Sequence, residues 1–394
     1  MDAFYASVEV RDNPSLAGLP LVVGGMGGRG VVAAASYEVR RFGVHSAMPM
    51  SEAKRRCPQL VCVAPRMARY RQVSELVFSV FEQFTPQIEG LSLDEAYLDI
   101  SASLNLFGSP RTIGEQIKKR IYEATGLCAS VGAGPNKLVA KIASDMDKPN
   151  GLRIIEDSQV AAIFRALPVY RLHGIGKKTA AQLEALGIAT CGDLSQATDA
   201  QLKPVFGRYA SAIRARARGQ DDRAVVSDWE EKQVSAEETF AVDLHRPEAL
   251  RREIVGLADR AASRLRHKAL VTCCVTVKIR TADFQTLTRS HTFAPPTDDT
   301  RQITQIAQHL LQSWRALVPD DKVRLLGVSL RDLAPATQLD LFASAAIESS
   351  VHTQPNGQQA TKRLDPLLDG IRGRFGAGAV TRASALPTKT PPDP

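Results

Sequence analysis

Two adjacent carboxylates lie inside an apolar run at Gly90-Leu91-Ser92-Leu93-Asp94-Glu95-Ala96-Tyr97-Leu98-Asp99-Ile100. The pattern predicts a strand over Leu91–Ile100, and carboxylates buried in a strand centre need a partner. Mg²⁺ is a suitable partner, since it prefers carboxylate and phosphate oxygens. Because neighbouring side chains of a strand point to opposite faces, both reach one site only at a bend or an open sheet edge. The alternative is an Asp-Glu pair that faces water at a hairpin tip.

Leu21–Gly24 and Gly30–Ala35 are predicted strands separated by the Gly-rich turn Gly24–Gly28. A phenol and two guanidinium groups follow the second strand in the segment Ser36-Tyr37-Glu38-Val39-Arg40-Arg41-Phe42-Gly43. Arginine forks suit phosphate oxygens, and Tyr37 can donate a hydrogen bond. A solvated helix start is the alternative for this segment.

Three lysines lie in residues 135–151, which include a predicted helix over Asn136–Met146. Lys137 and Lys141 are four positions apart and share a face, where ordinary surface lysines are the favoured interpretation. Lys148 lies on the turn beyond the helix, where its ammonium group can point at an anion.

A glycine-rich turn opens a helix at Leu172-His173-Gly174-Ile175-Gly176-Lys177-Lys178-Thr179-Ala180. Backbone N–H groups and a positive helix end favour phosphate, and the two lysines add charge. The pattern indicates a helix-hairpin-helix, which binds the nucleic-acid backbone without reading bases. A plain helix–helix turn is the alternative.

Two large apolar residues occur in a low-complexity region at Gln338-Leu339-Asp340-Leu341-Phe342. Exposed apolar side chains in such a region suggest a docking peptide. A local apolar contact is the alternative.

Composition excludes several classes of protein. The 394 residues carry a formal net charge of +8, and 44% are hydrophobic, so a multidomain chain with a sizeable core is expected rather than a disordered one. No apolar run approaches the ~20 residues that span a bilayer, and the start of the chain lacks the basic region of a signal peptide. We expect no membrane association, and six dispersed cysteines suggest reduced thiols in the cytoplasm.

The chain divides into segments of different pattern. Residues 1–160 mix short strands and helices, which predicts an α+β domain with an antiparallel sheet. A mainly helical segment runs from Pro168 to about Gly219, and a charged linker follows near 220–236. The second predicted α+β unit comprises helix Pro247–His267, strand Val271–Arg280, helix Arg301–Leu317 and strand Val323–Leu333. The remaining Ala-, Ser-, Thr- and Pro-rich tail contains one helix, in which Leu364, Leu367, Leu368, Ile371 and Phe375 share a face.

Five segments, taken together and in this order, resemble Y-family DNA polymerases of the DNA polymerase IV type. They are MDAFYASVE, SYEVRRFGVHSAMP, SLDEAYLDI, SVGAGPNKLVAKIASDMDKPNGL and LHGIGKKTAAQLEALGI, and the resemblance covers residues 1 to about 335. QLDLF resembles the peptide with which that family binds the bacterial sliding clamp.

The resemblance implies a right-hand polymerase made of α+β and helical domains. The implied parts are a palm with an antiparallel sheet (1–10 and 67–160), fingers (11–66), a helical thumb with the helix-hairpin-helix (161–225), a linker (226–236), an α+β little finger (237–335) and a flexible tail (336–394) with the clamp-binding peptide at 338–342.

The resemblance also implies a role for each candidate site residue. Asp94 and Glu95 would be catalytic carboxylates that bind two Mg²⁺ ions per active site. Tyr5 would be the steric gate against the ribose 2′-OH. The incoming dNTP would contact Phe4, Tyr5, Tyr37, Arg40 and Lys148. Primer–template DNA would contact Gly174, Ile175, Gly176, Lys177 and Lys178, and the sliding clamp would contact Gln338, Leu339, Asp340, Leu341 and Phe342.

The implied activity is error-prone translesion DNA synthesis by a monomer of low processivity that lacks proofreading and is recruited by the clamp. One departure bears on this activity, because the family pattern opens with an apolar strand whose final Asp, a third metal ligand, directly precedes the residue equivalent to Met1. Asp2 matches a neighbouring position that is not a ligand. Either the strand lies upstream of Met1, which we favour, or the chain is a catalytically impaired relative that binds DNA and the clamp.

Overall fold

The computed structural model describes residues 1–228, 230–336, 357–376 and 378–385. The chain forms two compact units, Met1–Trp229 and Glu230–Pro394. In the described part of the chain, no helix combines the length and apolar character needed to cross a membrane.

The first unit contains twelve helices among its described residues. They are α1 (Phe4–Asp12), α2 (Tyr37–Arg40), α3 (Met50–Arg56), α4 (Met67–Glu82), α5 (Leu104–Phe107), α6 (Pro110–Thr125), α7 (Lys137–Met146), α8 (Asp157–Ala166), α9 (Lys177–Ala185), α10 (Cys191–Gln196), α11 (Asp199–Phe206) and α12 (Ala210–Ala217).

Seven short strands in this unit form three small sheets. They are β1 (Leu21–Gly24), β2 (Val32–Ala35), β3 (Val61–Val63), β4 (Ile88–Gly90), β5 (Ala96–Leu98), β6 (Val131–Ala133) and β7 (Leu152–Ile154). Strand β1 pairs antiparallel with β2 and parallel with β3, β4 pairs antiparallel with β5, and β6 pairs parallel with β7. The strands predicted around the Gly-rich turn at 24–28 are confirmed.

The predicted strand over Leu91–Ile100 is right only for Ala96–Leu98, which form β5, because the chain turns back before them. Residues 91–95 form a hairpin turn between β4 and β5, closed by a 2.8 Å bond from the Leu91 N–H to the Glu95 carbonyl. Ser92 Oγ donates to Asp94 Oδ1 at 2.8 Å, and this local bond competes with strand pairing. The turn explains how adjacent carboxylates reach one side of the sheet, since neither lies in regular strand backbone.

Helix α7 is amphipathic and contacts two parts of the first unit, the hydrophobic core of α8 to α12 and the hairpin of β4 and β5. Its buried residues Leu138, Val139, Ile142 and Ala143 belong to the same hydrophobic core as α8 to α12. The side chains of Lys137 and Lys141 leave the helix on another face and pair with glutamates near the hairpin turn. The favoured interpretation of these two lysines as ordinary surface residues is therefore wrong.

The second unit is a four-stranded antiparallel sheet covered on one face by two helices. Its elements are β8 (Gln233–Leu244), α13 (Pro247–His267), β9 (Leu270–Thr281), β10 (Thr286–Thr297), α14 (Thr300–Leu317) and β11 (Val323–Pro335), and the strand order is β10-β9-β11-β8. Val275, Val277 and Ile279 of β9 face these helices, in a hydrophobic core that includes the buried Trp314 of α14.

Sequence reasoning found both helices and the two central strands of this unit but missed both edge strands. Edge strand β10 is mostly exposed and polar, so it lacks the apolar alternation that signals a strand. Strand β8 begins at Gln233, inside the segment predicted as linker.

The predicted tail helix is present as α15 (Gly357–Phe375), and it packs on α13 through charged residues. Asp369 accepts from Arg266 Nε at 2.7 Å, and Arg372 donates to Asp259 at 2.6 Å. Asp365 lies in the same network and accepts the Thr300 N–H at 3.0 Å. The shared apolar face points outward instead, with exposed side chains at Leu364, Leu367, Ile371 and Phe375.

We predict that Arg266→Met strongly destabilises the second unit. The Arg266 side chain is only 10% exposed; its loss leaves the buried Asp369 without its main partner and removes one of the two arginines that contact Asp365, which costs about 3–5 kcal/mol. Urea denaturation followed by the fluorescence of Trp314 measures this loss. Arg260→Met, on the same helix, breaks an exposed pair with Glu238 and is expected to cost about 1 kcal/mol or less.

The loss of stability caused by Arg266→Met depends on pH, because it depends on the charge of Asp369. Burial opposes ionisation of Asp369, but hydrogen bonds from Arg266 and Ser263 lower its pKa below the ordinary value. The stabilisation is therefore present at neutral pH and is lost as the pH falls through that lowered pKa. A difference between the parent and Arg266→Met that persists unchanged into strong acid would contradict this account.

Candidate active site

A cavity of about 340 Å³ in the first unit brings the predicted site residues together. Four separate elements contribute to it: the start of α1, the region from β2 to α2, the hairpin turn and the loop after α7. Its lining includes all seven residues assigned to metal and nucleotide: Phe4, Tyr5, Tyr37, Arg40, Asp94, Glu95 and Lys148.

The two carboxylates enter this cavity with different partners. Lys141 Nζ donates to Glu95 Oε1 at 2.7 Å. The Met1 amino group donates to the Asp94 carbonyl at 2.8 Å and lies 3.8 Å from Asp94 Oδ2. Both side chains stay partly exposed, at 27% for Asp94 and 37% for Glu95, so each keeps a carboxylate oxygen that a ligand can reach.

The donor set suits Mg²⁺ of the kind that also binds substrate phosphates. Such ions take one or two protein carboxylates and complete their coordination with phosphate and water. Asp94 and Glu95 supply those carboxylates at one edge of the cavity. Among the described residues, no three or more His, Cys, Asp and Glu side chains cluster as a metal site.

The cavity also carries groups that suit phosphate. The Arg40 guanidinium lies 4.3 Å from the centre of the Tyr37 ring, and its Nε donates to the Ala35 carbonyl at 3.2 Å. The buried Tyr37 hydroxyl has no hydrogen-bond partner in the described part of the chain. Burial and the charge of Asp2 raise the pKa of Tyr37, so the hydroxyl stays protonated and can donate to an anion.

Lys148 is the cation on the loop after α7. Burial opposes its charge, but the Asp145 carboxylate, 2.7 Å from its Nζ, raises the pKa of Lys148 above the ordinary value. The ammonium group is therefore retained at neutral pH beside the two carboxylates and the phosphate-binding groups.

Tyr5 is backed by a residue that sequence reasoning missed. The rings of Tyr5 and Tyr70 stack with centroids 4.2 Å apart and planes 11° apart. Tyr70 is fully buried, and its hydroxyl donates to Glu9 at 2.6 Å; Glu9 in turn accepts from Arg66. Since Tyr70 lies on α4, 65 positions after Tyr5, no local spacing reveals this support.

Asp2 has a structural position close to the cavity. Its buried carboxylate accepts the Asn150 N–H and the Ser130 hydroxyl, both at 2.8 Å. These bonds attach the loop that carries Lys148 to the start of the chain.

The predicted helix-hairpin-helix forms around a buried side chain. Ile175 is 6% exposed, Gly174 has a φ of +98° that favours glycine, and Gly176 caps α9. Lys177 and Lys178 are exposed at the start of that helix. The clamp-peptide residues Gln338–Phe342 lie outside the described residues.

A larger cleft of about 710 Å³ adjoins the hairpin. It is lined by both β5 and β6, each of which pairs with only one other strand among the described residues. Apolar side chains of α6, including Ile113, Ile117 and Ile121, line the cleft as well. An apolar space between two open strand edges can accept another strand.

Comparison with known proteins agrees with this architecture. Residues 1–145 match the family described as impB/mucB/samB, residues 231–341 match its C-terminal domain, and residues 170–221 match the thumb domain of DNA polymerase-iota. A Y-family DNA polymerase chimera has a TM-score of 0.76 at 28% identity, covering 85% of this chain and 97% of its own. DinB from Sulfolobus solfataricus has a TM-score of 0.58 at 28% identity, covering 84% and 96%. The fold is therefore that of a Y-family DNA polymerase.

Curated relatives show which kind of Y-family DNA polymerase the chain resembles. The DNA polymerase IV of Desulfatibacillum aliphaticivorans is 41% identical over 98% of this chain and 95% of its own length. That of Alkalilimnicola ehrlichii is 45% identical over 87% and 97%, respectively. The chain belongs to the DNA polymerase IV family, whose members are DNA-directed DNA polymerases. The resemblance drawn from the five sequence segments is confirmed.

We predict that Asp2→Ala destabilises the first unit and weakens nucleotide binding. The Asn150 N–H loses its acceptor in a partly buried place, which costs about 1–3 kcal/mol and releases the loop that carries Lys148. Thermal unfolding and dNTP titration measure the two effects. Asp299→Ala also removes an acceptor of a backbone N–H, but an exposed one in the second unit. Weakened dNTP binding in this control would contradict the assignment.

Proposed function

We propose that this chain performs template-directed, error-prone translesion synthesis by a two-Mg²⁺ nucleotidyl transfer, as a cytoplasmic enzyme of low processivity without proofreading. One observation carries this proposal: a single cavity collects two carboxylates and a separate set of phosphate-binding groups. A Mg²⁺-dependent nuclease also uses paired carboxylates, but it has no need for the triphosphate set of Tyr37, Arg40 and Lys148.

Each cavity residue has a task in this reaction. Tyr37, Arg40 and Lys148 bind phosphate oxygens of the dNTP. Tyr5 presents its ring to the sugar, with Tyr70 behind it. Asp94 and Glu95 hold the metal ions, which when bound lower the pKa of the primer 3′-OH and neutralise the pyrophosphate that leaves.

DNA binding would use surfaces of both units. The exposed Lys177 and Lys178 follow the turn at Gly174–Gly176, where backbone N–H groups can bind DNA phosphate. In the second unit, strand register places the basic residues Lys278, Arg280 and Arg331 on the sheet face opposite the helices, among serines and threonines. Such a face suits contacts to a duplex backbone.

Primer extension with dNTPs and Mg²⁺ tests the proposal. Asp94→Asn and Glu95→Gln are each expected to lower the rate by ~10³-fold or more, because each removes a metal-binding charge. Asp199→Asn in the thumb removes a comparable charge and is expected to leave the rate unchanged. Extension that persists in both hairpin variants would refute the assignment of these carboxylates.

The same assay separates synthesis from the non-catalytic alternative. The family pattern implies an additional apolar strand that ends in a third metal-binding Asp, and the apolar cleft between β5 and β6 supports a place for it. The comparison is between this chain and one extended by that strand. Synthesis by the extended chain supports the polymerase proposal, whereas binding of primer–template without synthesis by either chain supports the impaired relative.

We predict that Tyr5→Ala admits ribonucleotides, since the ring no longer collides with a 2′-OH. Tyr70→Leu is expected to relax sugar selection to a smaller degree, because Tyr5 keeps its ring but loses the stacked support. Incorporation of dNTP and NTP by each variant gives the selectivity ratio. An unchanged ratio in Tyr5→Ala would remove the gate assignment.

We also predict that the double change Leu341→Ala and Phe342→Ala abolishes stimulation by the bacterial sliding clamp. Unassisted extension is expected to stay the same, since these residues lie far in sequence from the cavity residues. Extension on primed circular DNA with and without the clamp measures both. Retained stimulation would contradict the proposed clamp peptide.

A further inference from the structure

The segment that leaves the thumb is attached to the start of α7. This exit segment, residues 219–226, follows α12. The sequence analysis assigns residues up to 225 to the thumb and residue 226 to the linker. Asn136 Nδ2 donates to the Gly219 carbonyl at 2.8 Å, and Lys137 Nζ donates to the Ala224 carbonyl at 3.0 Å. The Val226 N–H donates to Glu89 Oε2 at 2.9 Å.

Lys137 and Glu89 form the centre of this attachment. Lys137 is only 8% exposed, and its Nζ also donates to Glu89 Oε2. The ammonium group lies 5.1 Å from the centre of the Tyr97 ring on β5. Burial opposes ionisation of Glu89, but the bonds from Lys137 and the Val226 N–H lower its pKa, so the carboxylate is charged at neutral pH. A buried pair of this kind is sensitive to loss of either partner.

The same helix holds the other end of the hairpin turn. Glu89 lies on β4 and Glu95 immediately precedes β5, so the two residues flank the turn that contains Asp94. Lys141, one helical turn after Lys137, pairs with Glu95. Two lysines of α7 thus fix both sides of the turn, while neither Lys137 nor Glu89 lines the 340 Å³ cavity.

We propose that Lys137 and Glu89 are positioning residues for nucleotidyl transfer. Their ion pair holds the hairpin and the exit segment on α7, and so keeps the carboxylates of Asp94 and Glu95 aligned with the phosphate-binding groups. The catalytic half of this inference rests on the proposed function, and the structural half rests on the contacts alone.

Hydrogen exchange tests the structural half on the full chain. Glu89→Gln and Lys137→Met are each expected to speed exchange in residues 221–226 by about tenfold, because the segment loses its attachment. The double variant is expected to speed exchange more than either single one but by less than the product of their effects, since the two residues share the ion pair while each also makes its own bond to the segment. Lys137→Arg keeps the charge and is expected to restore most of the protection. Asp199→Asn breaks a thumb pair with Arg214 and serves as the control.

Single-turnover incorporation tests the catalytic half. The maximal rate is expected to fall roughly ten- to a hundredfold in Glu89→Gln and Lys137→Met, as for a small misplacement of reacting groups. The Kd for dNTP is expected to stay within about twofold, because the phosphate-binding side chains are untouched.

Hydrogen exchange and the maximal rate of incorporation test the two halves of the inference independently. Unchanged exchange in both single variants overturns the attachment, whatever the polymerase activity. Faster exchange with an unchanged maximal rate overturns the positioning role. If the parent chain makes no DNA, the catalytic half falls with the proposed function, and exchange still decides the structural half.

Discussion

The active site depends on the contact between one amphipathic helix and one short hairpin. Helix α7 buries Leu138, Val139 and Ile142 in the thumb core, which fixes its rotation about its own axis. With that rotation fixed, Lys137 and Lys141 must face the hairpin, whose two strands of three residues pair with no third strand among the residues that the structure describes. Such a small sheet is marginal alone, so the ion pairs with Glu89 and Glu95 orient the turn that carries Asp94.

The remaining cavity groups are placed by contacts between distant parts of the chain. Tyr5 takes its orientation from Tyr70, which is fixed through Glu9 and Arg66. The loop of Lys148 is held by the carboxylate of Asp2. Charged groups here are buried in pairs, which limits the desolvation cost of assembling several ions around one cavity. The Tyr37 hydroxyl, a neutral group, is buried without a hydrogen-bond partner in the described part of the chain.

Sequence patterns predicted the elements whose burial follows a period. The helices Pro247–His267 and Thr300–Leu317 appeared as expected, because each has one apolar face. The hairpin turn was predicted as strand, with a hairpin tip only as the alternative, because its side chains alternate like those of a strand while its local hydrogen bonds leave no periodic signal. Strand β10 was missed because an exposed edge strand needs no apolar face.

The sequence predicted more of the residues that line the cavity than of the residues that hold them in place. Motifs with a chemical reason, such as adjacent carboxylates or Arg beside Tyr, identified residues that line one cavity. Tyr70, Lys137 and Lys141 act through partners far away in sequence, and single residues carry no mark of such pairing. The charged inner face of α15 was missed for the same reason, since Asp365 and Asp369 look like solvent-facing residues until Arg266 is seen beside them.

The end of β11 limits how far a clamp could stand from the second unit. The Ala336 N–H donates to the Ala269 carbonyl at 2.9 Å, which anchors the chain at that point. Phe342 is six positions later, and a fully extended chain covers about 3.5 Å per residue. A protein that grips QLDLF would therefore be tethered within roughly 20 Å of the sheet. With so short a connecting segment, a bound clamp would have little freedom to move away from the polymerase, and direct contact between the two proteins is favoured over a loose attachment.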